Sequence, residues 1–236
     1  MPSIIYFVYN SILITALILA VHFYSNKNEK ENLLALKILM IMILFGITGA
    51  RMFHVFYEEP DYYRADPVKV LYFWQGGFVY FGGFISAIAA ASVYLFIKKE
   101  NFWKWADFFT VFASLAYAFG RIGCYISGCC YGSYHAFPWG FYRHPTQIYS
   151  TILELFALFV LVKTRNKKEK AGQFFICWVI YHCLNRLIVE PSRDDFRGEN
   201  IFGLSISTVV SLALLVLTLV VLLLKSNRLK KWLHAK

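Results

Sequence analysis

The sequence predicts an all-α, polytopic integral membrane bundle of about seven transmembrane helices. Of its 236 residues, 58% are hydrophobic, and the mean hydropathy is +0.52, too apolar for one soluble core. Apolar stretches also recur near the roughly twenty residues that a hydrocarbon core requires of a helix. Finally, lysine and arginine gather in alternate loops, the pattern of a chain threaded back and forth. The whole of 1–236 reads as a single membrane domain.

The first span runs over about 4–24 and lacks a small-residue cleavage site after a short apolar core, so it reads as retained, not as a signal peptide. The second and third cover about 33–57 and 78–97. The fourth, about 106–126, ends in the stretch around which the chain is organised, Tyr117 to Gly132, with an arginine, four glycines and three cysteines. The fifth, about 147–162, is short, and its start in His144-Pro145-Thr146-Gln147 is left open; proline suits the first turn of a helix, where its missing N–H costs nothing. The sixth and seventh cover about 172–189 and 201–224.

Sixteen of the 24 lysines and arginines lie after the first, third, fifth and seventh spans, among them Lys27, Lys98, Arg165, Lys167, Lys168 and Lys236. Arg64, Lys69, Arg143, Arg193 and Arg197 lie in the alternate loops. The positive-inside rule then sets the amino terminus outside and the carboxyl terminus in the cytoplasm. The net charge of +10 is therefore an orientation signal and a tether for anionic lipid, not a nucleic-acid patch. No zinc spacing or dinucleotide fingerprint occurs, so neither a metal nor a cofactor is expected. The five cysteines, all in or beside apolar segments, read as small buried hydrophobes.

Arg51, Arg121 and Arg186 remain, one on each span that runs outward, several residues before its end. Three cations at one depth repel one another and require negative charge between them. Either they form separate ion pairs at helix ends, or they converge on an anionic lipid headgroup, which the abundance of that ligand at that depth favours. Glu190, one turn beyond Arg186, neutralises one of them; the surplus suits a phosphate, whose oxygens match the guanidinium fork.

Glu58 to Pro67 reads as a surface turn region. The glycine pairs in Trp74-Gln75-Gly76-Gly77 and Gly82-Gly83 allow either an irregular, re-entrant backbone or close helix packing. The charged run Glu190 to Gly198 is a solvated turn or a gate.

These residues carry a resemblance. Gly120-Arg121-Ile122-Gly123 through Gly132, Gly49-Ala50-Arg51, Trp74 through Gly83, His144 through Tyr149 and Arg186 through Arg193 resemble, in order, the motif blocks of bacterial prolipoprotein diacylglyceryl transferases. The resemblance spans nearly the whole chain. It implies a seven-span enzyme of the bacterial cytoplasmic (inner) membrane. The implied reaction moves diacylglyceryl from phosphatidylglycerol to the lipobox cysteine thiol of a precursor's signal peptide, and glycerol phosphate leaves. Three positions depart from the family pattern: Phe81 stands where histidine precedes the second glycine pair, and Cys124 and Cys129 replace an asparagine and an acidic residue.

On this reading Arg121 and Arg186 clamp the phosphate, and Arg51 adds a contact or holds the bundle. Tyr9 matches a functional tyrosine of the family or is an interfacial residue. Gly132 leaves headgroup room, while Glu190, Arg193, His144, Gln147 and Tyr80 line the substrate. The proton acceptor, if any, is sought among Glu190, His144, Tyr80 and Tyr9. Two other readings stay open: a divergent transferase with another donor or acceptor, and a non-enzymatic phospholipid-binding bundle.

Overall fold

The computed structural model describes residues 2–25, 29–135, 142–164, 170–195 and 200–234. Lys27, Arg165, Lys167, Lys168, Phe196, Arg197, Gly198 and Lys236 lie outside the described residues. The helices are α1 (Pro2–Ser25), α2 (Glu29–Phe53), α3 (Pro60–Ala65), α4 (Tyr80–Ile97), α5 (Phe102–Ile126), α6 (Thr146–Thr164), α7 (Gln173–Val189) and α8 (Ile206–His234). Seven of them, all but α3, are long and apolar enough to cross a membrane. Isolated bridges, such as Gly132 with Arg193, are the extended pairing seen among the described residues.

Helix ends move from their sequence positions for identifiable reasons. The start of α5 is Phe102 because the Asn101 side chain accepts from the backbone N–H of Trp103 (3.0 Å) and Lys104 (3.4 Å). The short fifth span gains length at both ends and begins at Thr146, directly after Pro145. The last span starts at Ile206, later than expected, because Ile201 and Leu204 bridge across Phe202 and Gly203, both at positive φ. At its other end α2 loosens into a π turn over His54–Glu58.

The two glycine pairs have different uses. Gly76 and Gly77 take φ of +86° and +77° in an irregular segment between the 3₁₀ turn Phe73–Gln75 and α4, a backbone that side chains disfavour. Gly82 and Gly83 are helical and let α4 approach α2: a Cβ on Gly83 would stand 2.8 Å from the Gly46 carbonyl oxygen. From the α2 side, a Cβ on Gly49 would lie 2.3 Å from Ser86 Cβ. Close approach through small residues is how helices associate where lipid removes the hydrophobic drive. Gly49→Val is therefore expected to lower the folded yield in detergent and to destabilise the bundle by about 1–3 kcal/mol, read as a downward shift in thermal unfolding.

Val21, Ile38, Leu39, Leu95, Trp105, Phe109 and Phe112 bring α1, α2, α4 and α5 together in one apolar cluster. Near the start of α7, buried Asp107 of α5 accepts from the N–H groups of Gly172 (2.6 Å) and Phe175 (2.8 Å), capping α7 from a neighbouring helix. Large apolar side chains such as Phe23, Phe96, Phe156 and Leu223 face outward, where a bilayer supplies their environment.

Candidate active site

α4, α5, α6 and α7 enclose a polar core that hydropathy alone conceals. Glu154 of α6, fully buried, accepts from Ser114 Oγ (2.8 Å), Trp178 Nε1 (2.6 Å) and His182 Nδ1 (3.0 Å). A carboxylate at this depth is tolerated because three donors from two other helices satisfy it. Glu154→Ala strands those donors in an apolar setting. It is expected to destabilise the protein by about 3 kcal/mol or more, given roughly 1–3 kcal/mol per abandoned buried partner, measurable by denaturant titration in micelles.

Tyr117 connects this core to the cations. Its ring packs against His182 (4.5 Å between centroids) and Tyr80 (4.9 Å), and the Arg121 guanidinium lies 4.9 Å from its centroid. The Tyr117 hydroxyl lies beside Arg121, Arg186 and Ser150 without closing a hydrogen bond within ordinary limits.

Arg186, 4% exposed, donates from NH2 to Glu190 Oε2 at 3.2 Å, one turn along α7. Among the described residues its Nε and NH1 have no partner, and neither do Gln147 Oε1, Ser150 Oγ, Asn185 Oδ1 and His182 Nε2. Arg186 also feels the charges of Arg121 and Arg193. Buried polar atoms are almost always paired, so the two free guanidinium N–H groups of Arg186 and the acceptor oxygens of Gln147 and Asn185 suit a polar ligand that offers both an anion and hydrogen-bond donors. Glu190, whose other oxygen accepts from Ser205, carries one negative charge and so cannot neutralise Arg186 and Arg121 together.

The sequence-level candidates divide accordingly. Arg121, Arg186 and Tyr80 meet at this core, with Glu190 and Arg193 at its rim; Gln147 is buried and donates its amide to the Cys129 carbonyl. Arg193 is turned toward Asp195, with Nε to Oδ1 at 2.9 Å. The substrate contact expected of Arg51 is corrected: of its two readings, a further contact or a residue that holds the bundle, the second fits, as a loop clamp. Buried to 2% exposure, it donates to the carbonyls of Lys69 (2.7 Å), Val70 (3.1 Å), Tyr72 (3.4 Å), Gly76 and Gly77 (3.2 Å). The rings of Tyr63, Phe73 and Phe78 surround it. Its charge is compensated by carbonyl dipoles of the outer segment, not by a shared ligand.

Gly132 is likewise corrected. A Cβ there would lie 1.9 Å from the Ser192 carbonyl oxygen, so the missing side chain admits backbone, not headgroup. His144 serves the same loop: its carbonyl accepts from Gly132 N–H (2.8 Å), and its Nδ1 faces Tyr149 Oη at 3.3 Å. Tyr9 donates its hydroxyl to the Phe119 carbonyl at 2.8 Å, bracing α1 against α5 two residues from Arg121.

The sequence reading missed the cysteines as a group. Cys183 is buried as expected, but Cys129 and Cys177 are exposed. The sulfurs of Cys124, Cys129 and Cys130 lie within 4.8 Å of one another. Hydrogen bonding with Cys124 and Cys129, and then the charges of Arg121 and Arg193, hold the Cys130 thiol well below the usual range. The available signal was three cysteines within seven residues around a glycine turn. Glu154, His182 and Asn185 were missed because apolar neighbours diluted them.

Seven helices long and apolar enough to cross a membrane, packed around guanidinium, carboxylate and amide groups, define an integral membrane protein with a polar core. The chain belongs to the prolipoprotein diacylglyceryl transferase family, whose sequence model matches residues 4–224. It is 35% identical to a phosphatidylglycerol–prolipoprotein diacylglyceryl transferase of Clostridium tetani over 193 residues, 75% of each chain. A protein of the same name from Symbiobacterium thermophilum is 30% identical over 200 residues, 78% of this chain and 74% of its own. One from Listeria innocua is 28% identical over 226 residues, 89% and 80% of the two chains.

Proposed function

We propose that this protein transfers diacylglyceryl from phosphatidylglycerol to the lipobox cysteine thiol of a precursor's signal peptide, at the outer face of a bacterial cytoplasmic membrane. The amino terminus is then outside and the carboxyl terminus inside, as the loop charges require. The observation that carries the reading is Arg186. Two of its nitrogens, without a partner among the described residues, stand beside Arg121, within a chain whose relatives bear that activity in their names.

The donor's phosphate binds between Arg121 and Arg186, and its acyl chains lie among the helices, where they avoid water. The acceptor sulfur, as thiolate, attacks the glycerol methylene carbon that bears the phosphate oxygen. A carbon–sulfur bond forms, the carbon–oxygen bond breaks, and glycerol phosphate leaves with the electron pair. Negative charge grows on the phosphate as the bond breaks, so a fixed guanidinium pair stabilises the transition state more than the bound lipid. Gln147, Asn185 and Tyr117 add donors and acceptors around the same group, and Glu190 orients Arg186 through its NH2.

The test is transfer by the purified protein in proteoliposomes. With phosphatidylglycerol as donor, a lipobox peptide should gain the mass of one diacylglyceryl group on its cysteine, and the same peptide with serine should not. A peptide unmodified with phosphatidylglycerol but modified with a zwitterionic donor would overturn the donor assignment.

A further inference from the structure

We propose that Cys124, Cys129 and Cys130 form a three-thiolate site for a thiophilic d¹⁰ ion, Zn²⁺, whose fourth position takes the acceptor thiol. The role assigned to the ion rests on the transfer reaction proposed above; the existence of the site does not.

The turn that closes α5 accounts for two of the three sulfurs. Cys129 N–H reaches the Cys124 carbonyl (3.1 Å), and Gly128 N–H reaches the Tyr125 carbonyl (3.1 Å), with Gly128 at φ +72°. That is the double hydrogen bond of a Schellman ending, which normally brings two apolar side chains together. It does not account for the third. Cys130 enters the cluster through a backbone φ of +66°, unfavourable by about 1–2 kcal/mol for a residue with a Cβ. Its sulfur comes to 3.3 Å from that of Cys129. Carbonyl bonds hold the arrangement: Thr146 Oγ1 donates to Cys130 (2.6 Å), and the Gln147 amide donates to Cys129.

The dimensions suit an ion. Zinc–sulfur bonds of about 2.3 Å in a tetrahedron set the sulfurs about 3.8 Å apart, and here all three already lie within 4.8 Å. A purely sulfur ligand set selects soft ions over magnesium or calcium. Three thiolates and one divalent cation carry a net charge of −1, which Arg121, close to Cys124 and Cys130, offsets. Three protein ligands leave the open position that distinguishes reactive zinc sites from closed structural ones, and Cys129 is exposed, so an incoming thiol has access.

Position gives the site its use. Cys124 is one helical turn from Arg121, and Arg121 lies near Cys124 and Cys130. Phe81, beneath the Arg186 guanidinium at 6.0 Å, offers no proton acceptor. A coordinated thiol gives its proton to solvent and stays as a metal-bound thiolate. Its sulfur then bonds to the glycerol carbon, the carbon–oxygen bond breaks, and the electron pair departs on glycerol phosphate. The product is a neutral thioether, a weaker ligand than a thiolate, so it leaves the ion and the site resets.

The experiment uses the reduced full-length protein in detergent, loaded with Zn²⁺ or Co²⁺ and passed through gel filtration. About one Zn²⁺ per chain should be retained, and it should shield three thiols from an alkylating reagent in the unmutated protein. Cys129→Ser and Cys130→Ser should each weaken retention at least about tenfold, as loss of a ligand requires. With Co²⁺, a cysteine lipobox peptide should raise the thiolate charge-transfer band by about one third, the step from three to four sulfur ligands; the serine peptide should leave it unchanged. Loss of Zn²⁺ on the column with all thiols alkylated freely, or equal retention by the serine variants, overturns the proposal. If transfer also continues undiminished under a chelator, the transferase reading stands without the ion. Zn²⁺ binding and peptide coordination without glyceride transfer would support the site and remove the reaction.

Discussion

Arg186→Gln is expected to lower diacylglyceryl transfer by about 10²–10³-fold at matched expression, the usual effect of removing one donor from developing negative charge. The loss should fall mainly on kcat, with a smaller rise in the KM for phosphatidylglycerol, because the phosphate charge grows as the carbon–oxygen bond breaks. Arg121→Gln should behave alike, since that guanidinium reaches the same core over the Tyr117 ring. Arg186→Lys should recover only part of the rate. It keeps the charge but loses the planar fork with which NH2 holds Glu190 while Nε and NH1 stay available. If the glutamine variants transfer at the unmutated rate, the two arginines do not bind the leaving group.

Gly132→Ala is expected to abolish most of the transfer although the added group is a single methyl. Its Cβ would meet the Ser192 carbonyl oxygen at 1.9 Å, His144 Cβ at 2.7 Å and Thr146 Cγ2 at 2.9 Å. The first of these is backbone, and the other two sit on a segment already bonded to Gly132 and Ser133. No side chain can swing away, so the loop must separate from Ser192. The bonds from Ser133 N–H to Ser192 (3.0 Å) and from Gly132 N–H to His144 (2.8 Å) go with it. Arg193 and Cys130 then lose their placement beside Arg121. A drop in transfer of at least about tenfold, with a destabilisation of about 1–3 kcal/mol for an overpacked site, would separate this effect from unfolding of the whole bundle. Unchanged transfer would mean that the Gly132–Ser192 contact is not needed to hold the site.

The spans were legible because length and hydropathy suffice for a helix that must satisfy its own backbone in lipid. Their ends were less so, since Asn101 capping α5 and the Ile201–Leu204 turn before α8 depend on a few side chains and backbone angles. Arg121 and Arg186 stood out in sequence because a cation there has a cost that needs a reason. Arg51 carried the same signal and met a different partner set. The carbonyls it binds lie 18 to 26 residues away in an irregular segment whose path no local pattern specifies. The glycine pairs show the same limit: one pair is irregular backbone and the other is a helix contact, distinguished by what packs against them. The thiol cluster was hidden for another reason. It depends on a left-handed backbone at Cys130, which a cysteine side chain does not announce.

The most direct measurement is the location of the donor's phosphate in a structure of the protein purified with phosphatidylglycerol. The phosphate should lie between Arg121 and Arg186, within hydrogen-bond distance of the Arg186 Nε and NH1 atoms that have no partner among the described residues, and the acyl chains should run between helices toward the bilayer. A phosphate bound near Arg51, or at the opposite ends of α2, α5 and α7, would contradict the account.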